Sequence, residues 1–191
     1  PANAAARMLA DAQNRLATLL STIDHTNIGT LSLAFDSNDL RDMLPISGIM
    51  VPRHESRAID AITVTSRKMP GRAPHNLTLL RIFFGGSRPE TIDLNDDQLI
   101  SVVRGELRAL LGIAVAPRHH VVFRWPAGFP QAAVGHLARV KAIEAACPSG
   151  LFLAGASYHG IGVPDCIRDA HRAVDGMTRH IKTETPTPVQ V

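Results

Sequence analysis

Residues 151 to 174 read Leu-Phe-Leu-Ala-Gly-Ala-Ser-Tyr-His-Gly-Ile-Gly-Val-Pro-Asp-Cys-Ile-Arg-Asp-Ala-His-Arg-Ala-Val. The apolar run Leu151 to Ala154 predicts a strand that passes through Gly155, Gly160 and Gly162 into a helix. Pro164 suits the first helical turn, and Asp165 suits the positive end of the helix dipole. The glycines let backbone approach a ligand closely, and the helix start offers unpaired N–H groups to a phosphate or another electron-rich group. Several sharper readings fail on spacing. The glycine order is not GxGxxG. No Lys-Ser/Thr follows, as a Walker-type phosphate loop requires. Gly155 to Gly160 is one residue too long for a GxSxG nucleophile elbow. Such turns serve as packing devices more often than as ligand sites, so spacing alone leaves both readings open.

Upstream, residues 2 to 23 carry Ala5, Met8, Leu9, Ala12, Leu16, Leu19, Leu20 and Ile23 at helical spacing, which predicts one amphipathic helix. Three runs rich in β-branched residues and phenylalanine follow, at Ile28 to Phe35, Ile59 to Ser66 and Leu77 to Phe84. Gly48 to Val51 is a candidate fourth. The connections are too short for crossover helices, so the sheet should be largely antiparallel. Asn95 stands three residues before Gln98, a capping-box pattern that opens a helix burying Leu99, Val102, Val103, Leu107, Leu110 and Leu111 and ending at Gly112. Val121 to Trp125 reads as a returning strand. A helix over 131–146 should bury Val134, Leu137, Val140 and Ile143. The last residues, from 183 to 191, read as a frayed tail. The architecture is therefore α+β: an antiparallel-rich mixed sheet with flanking helices, plus one strand-turn-helix of a Rossmann-like α/β layer.

Composition sets outer bounds. The chain has 191 residues, 45% of them hydrophobic, enough for a real core, and a formal charge of only +3 without a Lys/Arg run. That gives no support to a nucleic-acid arm. The two cysteines, Cys147 and Cys166, form no CxxC pattern, so neither a disulfide framework nor a metal site is expected, and a reducing, cytoplasmic compartment is the default. No apolar run reaches the roughly 18 residues that a membrane span needs. The chain opens at Pro1, within an Ala-rich helical pattern, and reads as a piece of a longer protein.

The segment AGASYHGIGVPDCIRDAHRAV resembles the C-terminal signature of the oxygen-dependent protoporphyrinogen oxidases, within the flavin amine oxidase superfamily. Further blocks occur in that family's order: VTSRKMPGRAP at 64–74, LLRIFFGG at 79–86, and Arg124-Trp125 followed by Pro130-Gln131 and Gly135-His136. The resemblance covers most of residues 28 to 178. It implies FAD as cofactor, a porphyrinogen as substrate and molecular oxygen as electron acceptor, in heme biosynthesis. It also implies a substrate domain over 25–145, after the helix of residues 1–24, and a return to the FAD domain over 146–182. Peripheral membrane association of the parent protein is implied as well.

Carried over position by position, Gly155 makes the flavin turn, while Ala156, Ile161, Gly162 and Val163 line the FAD. Trp125 is placed near the flavin or the porphyrinogen; core packing is the equal alternative for it. A porphyrinogen has a wide apolar face with carboxylates on its edge, which makes Arg53, Arg67 and Arg72 candidates for the rim, each also readable as a surface arginine. No residue qualifies as a general acid or base. His159 reads as a loop histidine, and adjacent His119 and His120 face opposite sides of a strand.

The sequence departs from the family in two places. The strand-GxGxxG-helix unit that holds most of the FAD is not among these residues, nor is the acidic residue that binds its ribose. Ser47 to Pro52 lacks the Gly-Phe-Gly-aromatic run that precedes Val-Pro in the family. This predicts weak or no FAD binding by these residues alone, and an exposed apolar edge at Leu151 to Ala154. Protoporphyrinogen IX and coproporphyrinogen III stay equal as substrates. The competing class is a non-catalytic fragment or tetrapyrrole-binding module that needs a partner for the other half.

Overall fold

A computed structural model describes residues 1–40 and 45–184, without the side chain of residue 184. Two compact units emerge: Thr26–Phe129, and a second built from Pro1–His25 together with the chain from Pro130 onward.

The first unit is a five-stranded sheet with one helix on its face. Its strands are β1 (His25–Asp36), β2 (Gly48–Met50), β3 (Ala61–Val64), β4 (Leu77–Phe84) and β5 (His119–Pro130), in spatial order β2-β3-β4-β1-β5. β1 and β4 pair antiparallel with Leu31 opposite Ile82, and β3 pairs antiparallel with both β4 and β2. Beside β1, the Arg118 N–H donates to Ala34 O and the Gln131 N–H to Asp24 O, so β5 also runs antiparallel. The expected antiparallel sheet is therefore present, although the run expected over 59–66 stops pairing at Val64. The short helix α4 (Thr65–Lys68) takes over there. An earlier short helix, α3 (Ser37–Leu40), follows β1.

Alternation decides which face is core. Leu31, Leu33 and Phe35 on β1, Ile62 and Val64 on β3, and Leu80, Ile82 and Phe84 on β4 are all buried on one side. Helix α5 (Asp96–Leu111) covers them with Leu99, Val103 and Leu107, spaced four residues apart. Full burial of each is worth about 1.5–3 kcal/mol. The Asn95 side chain accepts the Gln98 N–H at 2.9 Å, and Gln98 returns a bond to the Asn95 N–H at 3.2 Å, so the expected capping box is formed. Gly112 ends the helix at φ +70°. Val102, expected inside, faces out. After β4, Asp60 accepts the N–H groups of Gly86 and Ser87 at 2.8 and 2.7 Å, which fixes the turn that the Gly85-Gly86 pair makes.

The other unit is helical: α1 (Ala2–Leu9), α2 (Asn14–Ser21), α6 (His136–Ala146) and α7 (Val163–Glu184). Its core joins Ala2, Ala6, Leu16, Leu20 and Ile23 to Val140, Ile143 and Tyr158. The single helix expected over 2–23 is two helices. The chain leaves helical geometry at Gln13, with φ −143° and ψ 61°, just before α2 begins at Asn14. The break lets both segments turn small and large apolar residues onto one core, and it leaves Met8 and Ala12 exposed against expectation. α6 starts at His136 rather than 131, after Gly135 at φ +82°, so Val134 lies outside it. Val134 and Leu137 are exposed, and only Val140 and Ile143 are buried. α6 lies within this unit. Residues 183 and 184 continue α7, and the remainder of the expected tail lies outside the described residues.

Candidate functional site

Leu151 to Ala154 forms no strand and pairs with none among the described residues, so the expected strand is not realised here. The glycine turn after it is well defined. Gly155 has φ +137° and Gly160 φ +145°, a region that side chains other than glycine rarely enter. The Tyr158 N–H donates to Gly155 O at 3.3 Å, and the Cys166 N–H donates to Gly162 O at 2.9 Å as α7 begins. A Cβ built on Gly160 would lie 2.7 Å from Asp165 Oδ2, and one on Gly162 would lie 2.9 Å from it. At Gly155 the space is open: among the described residues, no heavy atom beyond its chain neighbours lies within 4 Å of that position. Ala156 and Gly162 are half-buried in this turn, and Ile161 and Val163 are exposed.

Behind the turn lies a charged network that sequence reasoning missed. Asp169 is 3% exposed and accepts the Gly155 N–H at 2.9 Å. Arg172 Nη2 bonds the same carboxylate at 2.8 Å, and the guanidinium also reaches Glu144. His159 Nδ1 stands 2.8 Å from Asp169 Oδ1 and 3.0 Å from Arg172 Nη2. Burial lowers the Arg172 pKa, but the Glu144 hydrogen bond and charge outweigh it and hold the group above its ordinary value. Burial, with the charges of Cys147 and Asp169 adding to it, pushes the Tyr158 phenol up to about 12. Ser157 is buried, accepts the Ala2 N–H at 3.0 Å and contacts His25 Nε2 at 3.2 Å, which ties the turn to α1. A helical position such as Asp169 gave no sequence signal beyond a carboxylate on the Gly-turn side of a helix.

In the sheet unit, Trp125 is not a core residue. It is 46% exposed and stacks on Phe123 at 5.8 Å between ring centroids. Its neighbour Arg124 turns the other way and is bound by Ile92 O, Leu94 O and Asp96. Arg53, Arg67 and Arg72 are all exposed. Arg53 opens a single 3-10 turn, Arg53–Glu55. Arg67 lines a cleft of about 730 Å³ with Ser37, Ser66, His75 and Thr78, and Arg72 sits in the Met69 to Pro74 turn outside its lining. The structure thus does not gather the three arginines into one rim. Arg81 on β4 was not singled out from the sequence. Its Nε is buried without a hydrogen-bond partner among the described residues, and the signal available was a lone charge inside an apolar alternating strand.

The flavin containing amine oxidoreductase family matches residues 1–178. The chain belongs to that family. It is 34% identical over 183 residues to the coproporphyrinogen III oxidase of Bacillus subtilis (strain 168), covering 93% of this chain and 38% of that protein. It is 39% identical over 133 residues to the coproporphyrinogen III oxidase of Mycobacterium bovis, covering 69% of this chain and 29% of the relative. A solved structure from Exiguobacterium sp. 255-15, provisionally described as a protoporphyrinogen oxidase, superposes with a TM-score of 0.75 at 26% identity, over 93% of this chain and 40% of that one. Reduced UDP-galactopyranose mutase shares the fold, with a TM-score of 0.60 at 12% identity over 88% of this chain and 37% of its own. The chain thus spans well under half the length of these relatives. The resemblance read from the sequence is borne out. No helix among the described residues is long and apolar enough to cross a membrane.

Proposed function

We propose that this chain is the substrate-domain and C-terminal flavin-site portion of an FAD enzyme that oxidises a porphyrinogen to the porphyrin with molecular oxygen as acceptor. Coproporphyrinogen III is the substrate we favour, because relatives at 32–39% identity carry that name and the tobacco protoporphyrinogen oxidase stands at 27%. A cytoplasmic location, with peripheral membrane contact of the whole flavoprotein, belongs to the same reading. The observation that carries it is the turn at Gly155, a glycine with positive φ and open space above it at the head of a 22-residue helix.

The residues fit a flavin. In this reading, Gly155 lets the ring approach, Ala156 and Gly162 keep the wall thin, and Ile161 and Val163 offer apolar contact. Asp165 already sits over Gly160 and Gly162 at the positive helix end, and it bonds Arg168. That carboxylate disfavours a phosphate there and favours a neutral polar edge such as a ring carbonyl. When bound, the flavin takes electrons from the substrate and passes them to oxygen. The protein positions the flavin turn through Asp169, which holds the Gly155 amide. Of the sequence candidates for the substrate rim, Arg67 keeps the best placement, beside a cleft. Trp125 faces outward, as contact with a flat ring requires.

The test is reconstitution of the 191-residue chain with excess FAD, gel filtration and an absorption spectrum. Longer protein containing these residues is then assayed with coproporphyrinogen III and protoporphyrinogen IX for porphyrin formation and oxygen uptake. Flavin retained by neither protein, or porphyrin formed at the same rate without flavin, would falsify the proposal. Flavin bound by the longer protein only supports the reading that this chain needs its other half.

A further inference from the structure

The two faces of the sheet differ in a way the flavin turn does not explain. One face is packed under α5. On the other, Arg81 lies opposite Ser32 on β1 and Thr63 on β3. Strand alternation puts Leu79 and Phe83 on either side of it along β4. It also puts Phe123 and Trp125 of β5 on this face, since Val122 packs on the core cluster and Arg124 binds the segment leading into α5. None of Leu79, Phe83, Phe123 and Trp125 joins the core.

A guanidinium nitrogen buried without a partner is an expensive feature, and native proteins seldom keep one without use. Its planar fork matches a carboxylate, and apolar neighbours strengthen that pairing by lowering the local dielectric. β1 separates β4 from β5, so Arg81 and the stacked rings are two strand spacings apart across the sheet, about 10 Å, with a further offset along the strands because β5 runs from Arg118 beside Ala34 to Gln131 beside Asp24. A macrocycle bridges such a span, and a single six-membered ring does not.

We infer that this face is a ligand seat in which Arg81 binds an edge carboxylate of a broad, flat apolar ring system that rests against Phe123 and Trp125. The inference rests on the porphyrinogen reading for the identity of the ring, and it replaces Arg53 and Arg72 with Arg81 as the carboxylate anchor. The occupant is a small polycarboxylate rather than a protein surface, because the charge is single and set among ring-sized apolar side chains.

The experiment uses the whole 191-residue chain and its Arg81→Gln and Arg81→Lys variants. The probes are coproporphyrin III and the pair pyrenebutyrate and pyrenebutanol, with binding followed by probe fluorescence. Wild type should prefer pyrenebutyrate over pyrenebutanol by about tenfold, the usual worth of one charge-assisted bond. Arg81→Gln should abolish the preference and weaken coproporphyrin III by a similar factor, while leaving pyrenebutanol unchanged. Arg81→Lys should keep part of the preference, which separates lost charge from lost folding. Equal binding of the two pyrenes by wild type overturns the inference. So does a chain that self-associates and excludes both pyrenes until dissociated. Intact pyrene discrimination with no coproporphyrin III binding supports the carboxylate seat and removes the tetrapyrrole reading instead.

Discussion

The Asp169 carboxylate accepts the backbone N–H of Gly155 at 2.9 Å, so a helix residue holds the turn that precedes its own helix. The side chain is almost wholly buried, and Arg172 neutralises it from the next turn. Removing one partner of such a pair leaves the others desolvated and unpaired, which is worse than never having the pair. Asp169→Ala should therefore destabilise the helical unit by about 2–4 kcal/mol. Asp169→Asn, which keeps the shape and one acceptor, should cost less. Urea unfolding followed by circular dichroism measures both, and equal stability of Asp169→Ala and wild type would show that the network carries no load.

The glycines of the turn should respond unequally to a methyl group. Both Gly155 and Gly160 have positive φ, so alanine is strained at either. Only at Gly160 does the new Cβ also meet a carboxylate at 2.7 Å. Gly160→Ala should lower the unfolding midpoint more than Gly155→Ala, by a margin on the order of 1 kcal/mol. The reverse order in thermal or chemical melts would mean that the turn relaxes differently from its geometry.

Tyr158 is the only tyrosine, so phenolate absorbance reads it without interference. Its folded pKa of about 12 stands above the ordinary 10.0, chiefly through burial. Between these values the unfolded chain has lost the proton and the folded chain keeps it, so stability falls as pH rises through this window and levels off above it. A spectrophotometric titration of native protein should show ionisation displaced upward, and the displacement should vanish in denaturant. A native curve that overlays the denatured one would refute the burial of this ring.

Helix α7 presents Val163, Ile167, Ala170, Val174, Met177 and Ile181 at alternating spacings of four and three, all exposed. That spacing is a seam for another helix. Together with the unpaired Leu151 to Ala154 segment it predicts self-association and dye-accessible apolar surface for the isolated 191 residues. Val174→Glu combined with Ile181→Lys should raise the monomer fraction in sedimentation velocity. A monodisperse wild type that melts sharply and binds little dye would contradict this.

The sequence reported what repeats locally. Apolar runs located all five strands, including Gly48 to Val51 and Val121 to Trp125, and short connections gave the antiparallel sense of the first four, because they leave no room for crossovers. The Asn95–Gln98 capping box and Gly112 marked both ends of α5, since caps are written in adjacent residues. The ordered blocks from VTSRKMPGRAP to the glycine turn were enough to identify the family. Features that depend on distant partners stayed hidden. The 2–23 helix breaks because Ala2, Ala6, Leu16 and Leu20 must reach one core, a demand that periodicity does not contain. Whether Trp125 packs inward or outward is a choice of strand face, and only Arg124 binding near α5 decides it. Arg81 was legible as a lone charge in an apolar strand, but its unpaired nitrogen is a property of the assembled sheet. Asp169 looked like one more polar helix residue, and only the fold, by bringing Gly155 against α7, gives its carboxylate an amide to hold.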